Sequence, residues 1–202
     1  MRNDIVVLVM DDDAAVRDSL AFLLETADLE VCTHESAIGF LAASDRAVGC
    51  IIADVRMPEM TGLELARRLH EAGSREPVII ITGHADLRLA IEAIQAGVAD
   101  FIEKPFDDEL LLASIRRVVA KAGEAALAEG ERREIAARFD SLSGRERDVM
   151  RGLVEGRANK VIAYDLDISP RTVEVYRANL MTKMQAGSLS ELVRMILTLR
   201  SP

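Results

Sequence analysis

The chain has 202 residues, of which 50% are apolar and 3% aromatic, and its formal net charge is −9 at neutral pH. This length allows one large domain or two small ones. The sequence has no run of 18 uncharged residues and no signal-peptide pattern, which argues against a membrane-spanning or secreted protein. We therefore expect a cytoplasmic protein without a membrane partner.

The charge is unevenly distributed along the chain. Residues 1–122 carry a net charge of −10, residues 123–140 carry −2, and residues 141–202 carry +3. This asymmetry indicates an acidic domain joined to a domain that meets a polyanion, although +3 is a small charge for a DNA-binding domain. Cys32 and Cys50 lie in strand-like runs without CxxC spacing, so we predict two buried thiols in a reducing compartment.

The first 122 residues alternate strand and helix patterns. Strands are predicted at residues 5–10, 29–32, 50–53, 77–81 and 100–103, and helices at residues 16–27, 38–42, 63–69, 87–96 and after Asp107. Gly97 is placed to end the fourth helix. The fifth helix has a predicted buried stripe: Leu110, Leu111, Ile115, Val118 and Val119. Five strands that alternate with five helices predict an α/β domain with a doubly wound parallel sheet.

Residues 123–140 are rich in Ala, Glu and Arg and offer little apolar surface. We predict an exposed, helical linker there, with Gly123 and Gly130 as the points where the helix could break.

Residues 141–202 have helical periodicity throughout. Ser143 and Glu146 have the spacing of a capping box, and Ser169 precedes Pro170 as a helix N-cap precedes the first helical position. Further helices are predicted from Asn159 and from Ser188. Four short helices with a tight turn between the second and third predict a small all-α helix-turn-helix domain.

Residues whose side chains could bind a metal ion or a phosphoryl group follow four of the five strands. Asp11 and Asp12 follow the first strand, Asp54 the third, Thr82 the fourth and Lys104 the fifth. Parallel strands end at the same edge of a sheet, and in the strand order 2-1-3-4-5 the switch point places the acidic pair beside Asp54. Three clustered carboxylates call for a hard cation such as Mg²⁺. Lys104 and Thr82 complete a site that could hold a phosphoryl group.

Four motifs in order resemble the receiver domain of two-component response regulators: DD at 11–12, DVRMPEMTG from Asp54, TG at 82–83 and FIEKPF at 101–106. SLSGRERDVM and NKVIAYDLDISPRTVEVYRANLMTKM resemble the LuxR-type helix-turn-helix. Together they resemble the NarL/FixJ family of response regulators, which implies a flavodoxin-like receiver at residues 1–122 and a DNA-binding domain at residues 141–202.

The resemblance implies that Asp54 accepts a phosphoryl group from a phosphohistidine of a sensor histidine kinase. It implies an Mg²⁺ site formed by Asp12, Asp54 and the backbone carbonyl of Arg56, with Asp11 acting either directly or through water. It also implies switch roles for Thr82, Lys104 and Phe101 and a cis peptide at Lys104-Pro105. Asp13 fits better as an acid at the start of a helix than as a metal ligand.

The third helix of the second domain carries the predicted DNA contacts. Base contacts are expected from the exposed face of that helix: Arg171, Glu174, Val175, Ala178 and Asn179. Thr172 is expected to take part in DNA binding as well. Phosphate contacts are expected from Arg177, Lys160 and Lys183.

We therefore expect a regulator that, once phosphorylated, forms a homodimer and binds double-stranded promoter DNA, with RNA polymerase as a further partner. The predicted dimer surface carries mixed charges: Arg88, Glu92, Glu109, Arg116 and Arg117. The motifs TGH, DFIEKPF and DISPRTVEVYRAN resemble those of an activator of nitrogen-fixation or low-oxygen genes. No enzymatic activity is expected beyond assistance to the chain's own phosphorylation and dephosphorylation.

Two other classes of function compete with this interpretation. A phosphohydrolase of the haloacid-dehalogenase type also uses a strand-end Asp, but it needs a second Asp two residues later, where this chain has Arg56. A protein-interaction module would use the helical domain to bind protein in place of DNA. A nucleotide-binding Rossmann role is disfavoured because no GxGxxG follows the first strand.

Overall fold

The structure is a computed structural model that describes residues 5–42, 49–84 and 87–200. The chain divides into two compact units, and the boundary lies between Ala126 and Leu127. No helix within the described residues is long and apolar enough to cross a bilayer.

The first unit is a five-stranded parallel sheet with helices on both faces. Its elements are β1 (Val6–Met10), α1 (Ala14–Thr26), β2 (Glu30–His34), α2 (Ala37–Ala42), β3 (Cys50–Asp54), α3 (Gly62–Glu71), β4 (Val78–Thr82), α4 (Leu87–Gln95), β5 (Asp100–Glu103) and α5 (Asp108–Asp140). The strand order is β2-β1-β3-β4-β5, and each neighbouring pair is parallel. The predicted α/β fold class is confirmed.

Alternate residues of the strands supply two separate apolar cores. Ile51 and Ile80 belong to the core that includes Leu65 of α3, whereas Ile52 and Ile79 belong to the core that includes α1 and α5. Successive side chains of a strand point to opposite faces, so a central strand must be apolar at nearly every position. This is why the strands of the sequence are continuous apolar runs.

Two predicted details of the first unit are wrong. β2 extends to His34 because its backbone pairs with β1 as far as Met10, and this pairing continues beyond the apolar run that defined the prediction. Leu110 is exposed, and Leu112 is buried in its place. Each residue of a helix rotates the side chain by about 100°, so a helix that buries Leu111 and Ile115 turns Leu110 away from the sheet.

α5 continues without interruption through Gly123 and Gly130. Apart from the nearby backbone of α5 and the two chain neighbours, no atom of the described residues lies within 4 Å of the position that a Cβ would occupy at either glycine. Neither of the two predicted break points in the linker is a break.

The second unit packs four helices and the end of α5 around one apolar core. These helices are α6 (Gly144–Val154), α7 (Asn159–Asp165), α8 (Pro170–Met184) and α9 (Leu189–Arg200). Ser143 and Glu146 form the predicted capping box of α6, and Ser169 caps α8 by accepting a hydrogen bond from the backbone N–H of Thr172. The predicted helix-turn-helix arrangement is confirmed.

The two cysteines differ in their surroundings. Cys50 is fully buried in β3, whereas Cys32 in β2 is only half-buried, so the prediction of two buried thiols holds for Cys50 alone. Burial raises the pKa of the Cys50 thiol to about 12, which keeps it protonated and unreactive at physiological pH.

Candidate functional site

One ammonium group joins three strand ends at the carboxyl edge of the sheet. Lys104 Nζ lies 2.9 Å from Asp54 Oδ1 and 3.0 Å from Asp11 Oδ2. Asp54 is the last residue of β3, and the other two residues directly follow β1 and β5, so the parallel sheet brings them together from 93 and 50 residues apart. The side chain of Asp54 remains 14% exposed, which leaves the carboxylate open to an incoming group.

Burial and hydrogen bonding have opposite effects on the pKa of Lys104. Partial burial disfavours the ammonium, but the hydrogen bonds to Asp54 and Asp11 outweigh it and raise the pKa of Lys104. The side chain is therefore a fixed cation at physiological pH, held where negative charge on a group bound to Asp54 would develop.

The loop after β3 orients the Asp54 carboxylate. The backbone N–H of Arg56 donates to Asp54 Oδ2 at 2.7 Å, so both carboxylate oxygens have a donor. Gly62 packs directly against the backbone of Asp54, and a Cβ at that glycine would lie only 2.3 Å from the Asp54 carbonyl oxygen. The glycine is required for this close approach.

The three consecutive aspartates after β1 differ in their contacts and in their exposure. The Asp13 carboxylate caps α1 by accepting a hydrogen bond from the N–H of Ala15 at 2.8 Å, which confirms its predicted place at a helix start. Asp11 is buried, and Arg17 holds its carbonyl oxygen at 2.7 Å. Asp12 is exposed beside them.

The residues predicted to hold Mg²⁺ have a suitable donor chemistry. Asp11, Asp12, Asp54 and the carbonyl of Arg56 would offer only oxygen atoms, which hard cations prefer. Within the described part of the chain, however, no three acidic, His or Cys side chains are arranged as a metal cluster. The Lys104 ammonium contacts the carboxylates of both Asp11 and Asp54.

Two further predicted residues lie on the neighbouring strands. The Thr82 side chain is buried at the end of β4, where its hydroxyl donates to the carbonyl of His84 at 3.1 Å and accepts from the His84 N–H at 3.3 Å. Phe101 is half-buried in β5 and pairs in register with Ile80 of β4. The Lys104-Pro105 peptide is cis, as expected.

The exposed face of α8 carries five of the residues predicted to contact bases: Arg171, Glu174, Val175, Ala178 and Asn179. Thr172 is half-buried, and its hydroxyl lies 2.8 Å from the hydroxyl of Ser169. The Thr172 hydroxyl thus belongs to the cap of α8, a contact that the sequence pattern did not indicate. Arg177 is half-buried on α8, and Lys160 is exposed on α7.

Lys183 forms an ion pair within the protein, although the sequence analysis predicted that it contacts a DNA phosphate. Its Nζ lies 2.7 Å from Oε2 of Glu146, a residue that is only 4% exposed. The capping pattern around Glu146 identified that carboxylate but not its cationic partner, because the two residues are 37 positions apart in the chain.

The surface of α4 carries two of the charged residues predicted for it, together with an apolar stripe that the sequence analysis did not identify. Arg88 and Glu92 pair with each other at 3.0 Å, so their charges are already compensated. Between and beyond them lies an exposed apolar stripe of Leu87, Ile91 and Ile94, with exposures of 78%, 47% and 77%. The i, i+4, i+7 spacing of these residues was the signal that sequence analysis missed.

Both units match known families. Residues 7–116 match the family described as the response regulator receiver domain, and residues 140–196 match the family described as bacterial regulatory proteins of the luxR family. The transcriptional regulatory protein FixJ of Azorhizobium caulinodans is 54% identical over 200 residues, which cover 98% of this chain and 94% of that protein.

Solved structures agree with these matches. Full-length FixJ from B. japonicum is 51% identical, with a TM-score of 0.60, and the match covers 96% of this chain and 97% of that one. The response regulator StyR is 35% identical, with a TM-score of 0.84, and the match covers 96% of this chain and 98% of that one.

Proposed function

Since the chain belongs to the two-component response regulators that join a receiver domain to a LuxR-type DNA-binding domain, we propose that Asp54 accepts a phosphoryl group from a sensor histidine kinase. The observation that carries this proposal is the position of Lys104 Nζ, 2.9 Å from the Asp54 carboxylate at the open edge of the sheet. Asp11 shares this edge, the Lys104 ammonium and a backbone N–H donor from Asp13, but its side chain is only 6% exposed, whereas that of Asp54 is 14% exposed and more open to an incoming group.

In the proposed step, a carboxylate oxygen of Asp54 attacks the phosphorus of a phosphohistidine. A P–O bond forms to Asp54, the P–N bond breaks, and its electron pair remains on the histidine nitrogen, which takes up a proton. Lys104 neutralises negative charge on the transferred group, and the Arg56 N–H keeps the carboxylate oriented. Bound Mg²⁺, held by Asp11, Asp12, Asp54 and the carbonyl of Arg56, would further neutralise the phosphoryl oxygens.

The proposed phosphoryl transfer acts only on the chain's own Asp54 and not on a separate substrate. Arg56 stands two residues after Asp54, where a phosphohydrolase of the dehalogenase type would need an aspartic acid. We therefore propose that the receiver assists only its own phosphorylation and dephosphorylation and does not turn over an external substrate.

The proposed switch uses the Thr82 hydroxyl. A phosphoryl oxygen on Asp54 would compete with the His84 carbonyl for this hydroxyl, which now closes the turn after β4. Withdrawal of the hydroxyl toward Asp54 opens space beside Phe101, whose half-buried ring then moves inward. A side chain with two positions converts a local charge change into a change of the α4 and β5 surface.

The proposed dimer forms through this changed surface. The exposed stripe of Leu87, Ile91 and Ile94 gives it an apolar centre, and burial of such side chains favours association by about 25 cal/mol per Å² before the entropic costs are subtracted. Two receivers joined in this way bring two α8 helices to one DNA site, which raises the affinity for paired half-sites.

We further propose, from the resemblance of the motifs, that the DNA-bound dimer acts with RNA polymerase to activate nitrogen-fixation or low-oxygen genes. FixJ of Azorhizobium caulinodans, which is 54% identical to this chain, is a transcriptional regulatory protein by name, and this supports transcription control as the outcome.

Acetyl phosphate with Mg²⁺ provides a direct test, with intact mass as the measurement. We expect one phosphoryl label on the native chain, none on Asp54→Asn, and one on the matched control Asp28→Asn, which makes the same chemical change on an exposed residue. Labelling of Asp54→Asn, or labelling that persists unchanged after Mg²⁺ is chelated, would refute the assignment.

A further inference from the structure

A cavity of about 410 Å³ lies within the second unit, between α6, α9 and the last turn of α5. Phe139, Met150 and Leu199 contribute apolar surface, and the charged lining consists of three arginines, Arg147, Arg151 and Arg200. Small-molecule sites commonly have volumes of about 300 to 1,000 Å³ and occur between packed helices. The size and position of this cavity are therefore those of a ligand site.

Arg147 is held in place but retains an unused donor. Its Nη2 donates to the carbonyl of Asp140 at 3.0 Å, and its guanidinium lies 4.9 Å from the ring centre of Phe139. Its Nε is buried and has no hydrogen-bond partner in the part of the chain that the structure describes. Because this atom has almost no accessible surface, it does not itself present a donor to the cavity, and Arg147 contributes to the lining through its cationic charge.

The other two arginines are only weakly compensated. Arg151 Nη1 is 3.7 Å from Asp148 Oδ1, which is longer than a hydrogen bond, and Arg200 has no ion-pair partner among residues 5–42, 49–84 and 87–200. Arg200 suits the C-terminal turn of α9, where the helix dipole favours a cation. The dipole does not explain why three guanidinium groups line one apolar cavity without an acidic lining residue.

We propose that this cavity binds an amphipathic organic carboxylate, that is, a carboxylate attached to an apolar chain. The guanidinium group binds carboxylates with two parallel hydrogen bonds, and the apolar lining suits a hydrocarbon chain that a nucleic-acid phosphate does not possess. The exposed recognition face of α8 contributes no lining residue, so the cavity is separate from the predicted DNA contacts. All of its lining residues belong to the second unit, whereas Asp54 belongs to the first.

Calorimetric titration of the full-length chain with decanoate tests the proposal. We expect saturable binding of one decanoate per chain. Decanol, which keeps the chain, and acetate, which keeps the charge, are each expected to bind at least about tenfold more weakly, since each lacks one of the two complementary parts. Equal binding of decanol and decanoate would overturn the role of the arginines.

Substitutions locate the site. Arg151→Gln and Arg200→Gln are each expected to weaken decanoate binding about tenfold, because each removes a charged hydrogen bond to the carboxylate. Arg194→Gln is the matched control, since Arg194 is exposed on α9 and does not line the cavity, and it should bind as the native chain does.

Three results would overturn the proposal. The first is the absence of saturable decanoate binding, and the second is an equal loss of decanoate affinity in Arg200→Gln and Arg194→Gln. The third is a change in sedimentation caused by Arg151→Gln or Arg200→Gln in a chain that does not bind decanoate. The last result would identify the cavity as a contact between copies of the chain.

Discussion

The ammonium of Lys183 lies 2.7 Å from the carboxylate of Glu146 and ties α8 to α6. Glu146 also accepts the backbone N–H of Ser143 at 2.7 Å, so one nearly buried carboxylate closes a helix cap and anchors a second helix. The hydrogen bond from Lys183, opposed by burial and aided by the bonds to Ser143, lowers the pKa of Glu146. This pair therefore contributes to the stability of the second unit.

Lys183→Met is predicted to destabilise the second unit by about 1 to 3 kcal/mol, because it leaves a buried carboxylate without its charged partner. The pKa of Glu146 is depressed in the folded state, so the stabilisation is complete above the unfolded value of about 4.3 and is lost as the pH falls through the folded value. Urea unfolding at pH 7 and at pH 3 to 4 measures both effects.

Lys160→Met is the control for that experiment, since Lys160 is an exposed lysine of the same unit. It should change stability by no more than about 0.5 kcal/mol. If Lys183→Met also leaves stability unchanged but weakens DNA binding, Lys183 is a phosphate contact as the sequence first indicated.

Gly62→Ala is predicted to slow labelling of Asp54 and to destabilise the first unit by about 1 to 3 kcal/mol, because the new Cβ would lie 2.3 Å from the Asp54 carbonyl oxygen. Gly83→Ala is the matched control at the same edge of the sheet, since no atom of the described residues beyond its two chain neighbours lies within 4 Å of its Cβ position. Acetyl phosphate labelling rates and urea unfolding separate the two variants. Equal behaviour of both would refute the packing argument.

Thr82→Val is predicted to retain the label on Asp54 but to lose phosphorylation-dependent dimerisation, because valine cannot bond a phosphoryl oxygen. Thr82→Ser keeps the hydroxyl and should still dimerise. Sedimentation with and without acetyl phosphate is the measurement. A Thr82→Val protein that dimerises normally when labelled would remove the hydroxyl from the switch.

Ile94→Lys is predicted to weaken the phosphorylated dimer at least about tenfold without affecting the label, since it places a charge in the exposed apolar stripe of α4. Leu127→Lys is its control, because Leu127 is equally exposed at 77% but lies on α5 outside that stripe. Sedimentation of the labelled proteins distinguishes them, and an Ile94→Lys dimer of native stability would place the interface elsewhere.

Glu174→Ala and Val175→Ala are predicted to reduce discrimination between operator and random DNA by about 1 to 3 kcal/mol per lost base contact. Lys160→Ala should instead weaken binding to every duplex and reduce its salt dependence, because phosphate contacts act through counterion release. Binding titrations on both DNAs at two salt concentrations separate these effects. Equal losses on both DNAs for Glu174→Ala would exclude it as a base contact.

The sequence by itself determined the order of elements and the edge of the sheet where the site lies. The continuous apolar runs that end at Asp54 and Thr82 predict buried parallel strands, and the topology then brings their ends together. The capping pattern of Ser143 was equally informative, since helix caps depend on residues only three positions apart. Such local rules act through the backbone and can be read without a tertiary structure.

Only the tertiary structure decided which charges are already paired. Lys183 and Lys160 are chemically alike in the sequence and both are exposed, yet only Lys183 forms an ion pair, with Glu146, among the described residues. Arg88 and Glu92 differ from this case, because they stand four positions apart on α4 and their pairing follows a local helical rule. The partner of a charged side chain depends on the packing of distant segments, and a single sequence contains no periodic signal for a contact across 37 residues.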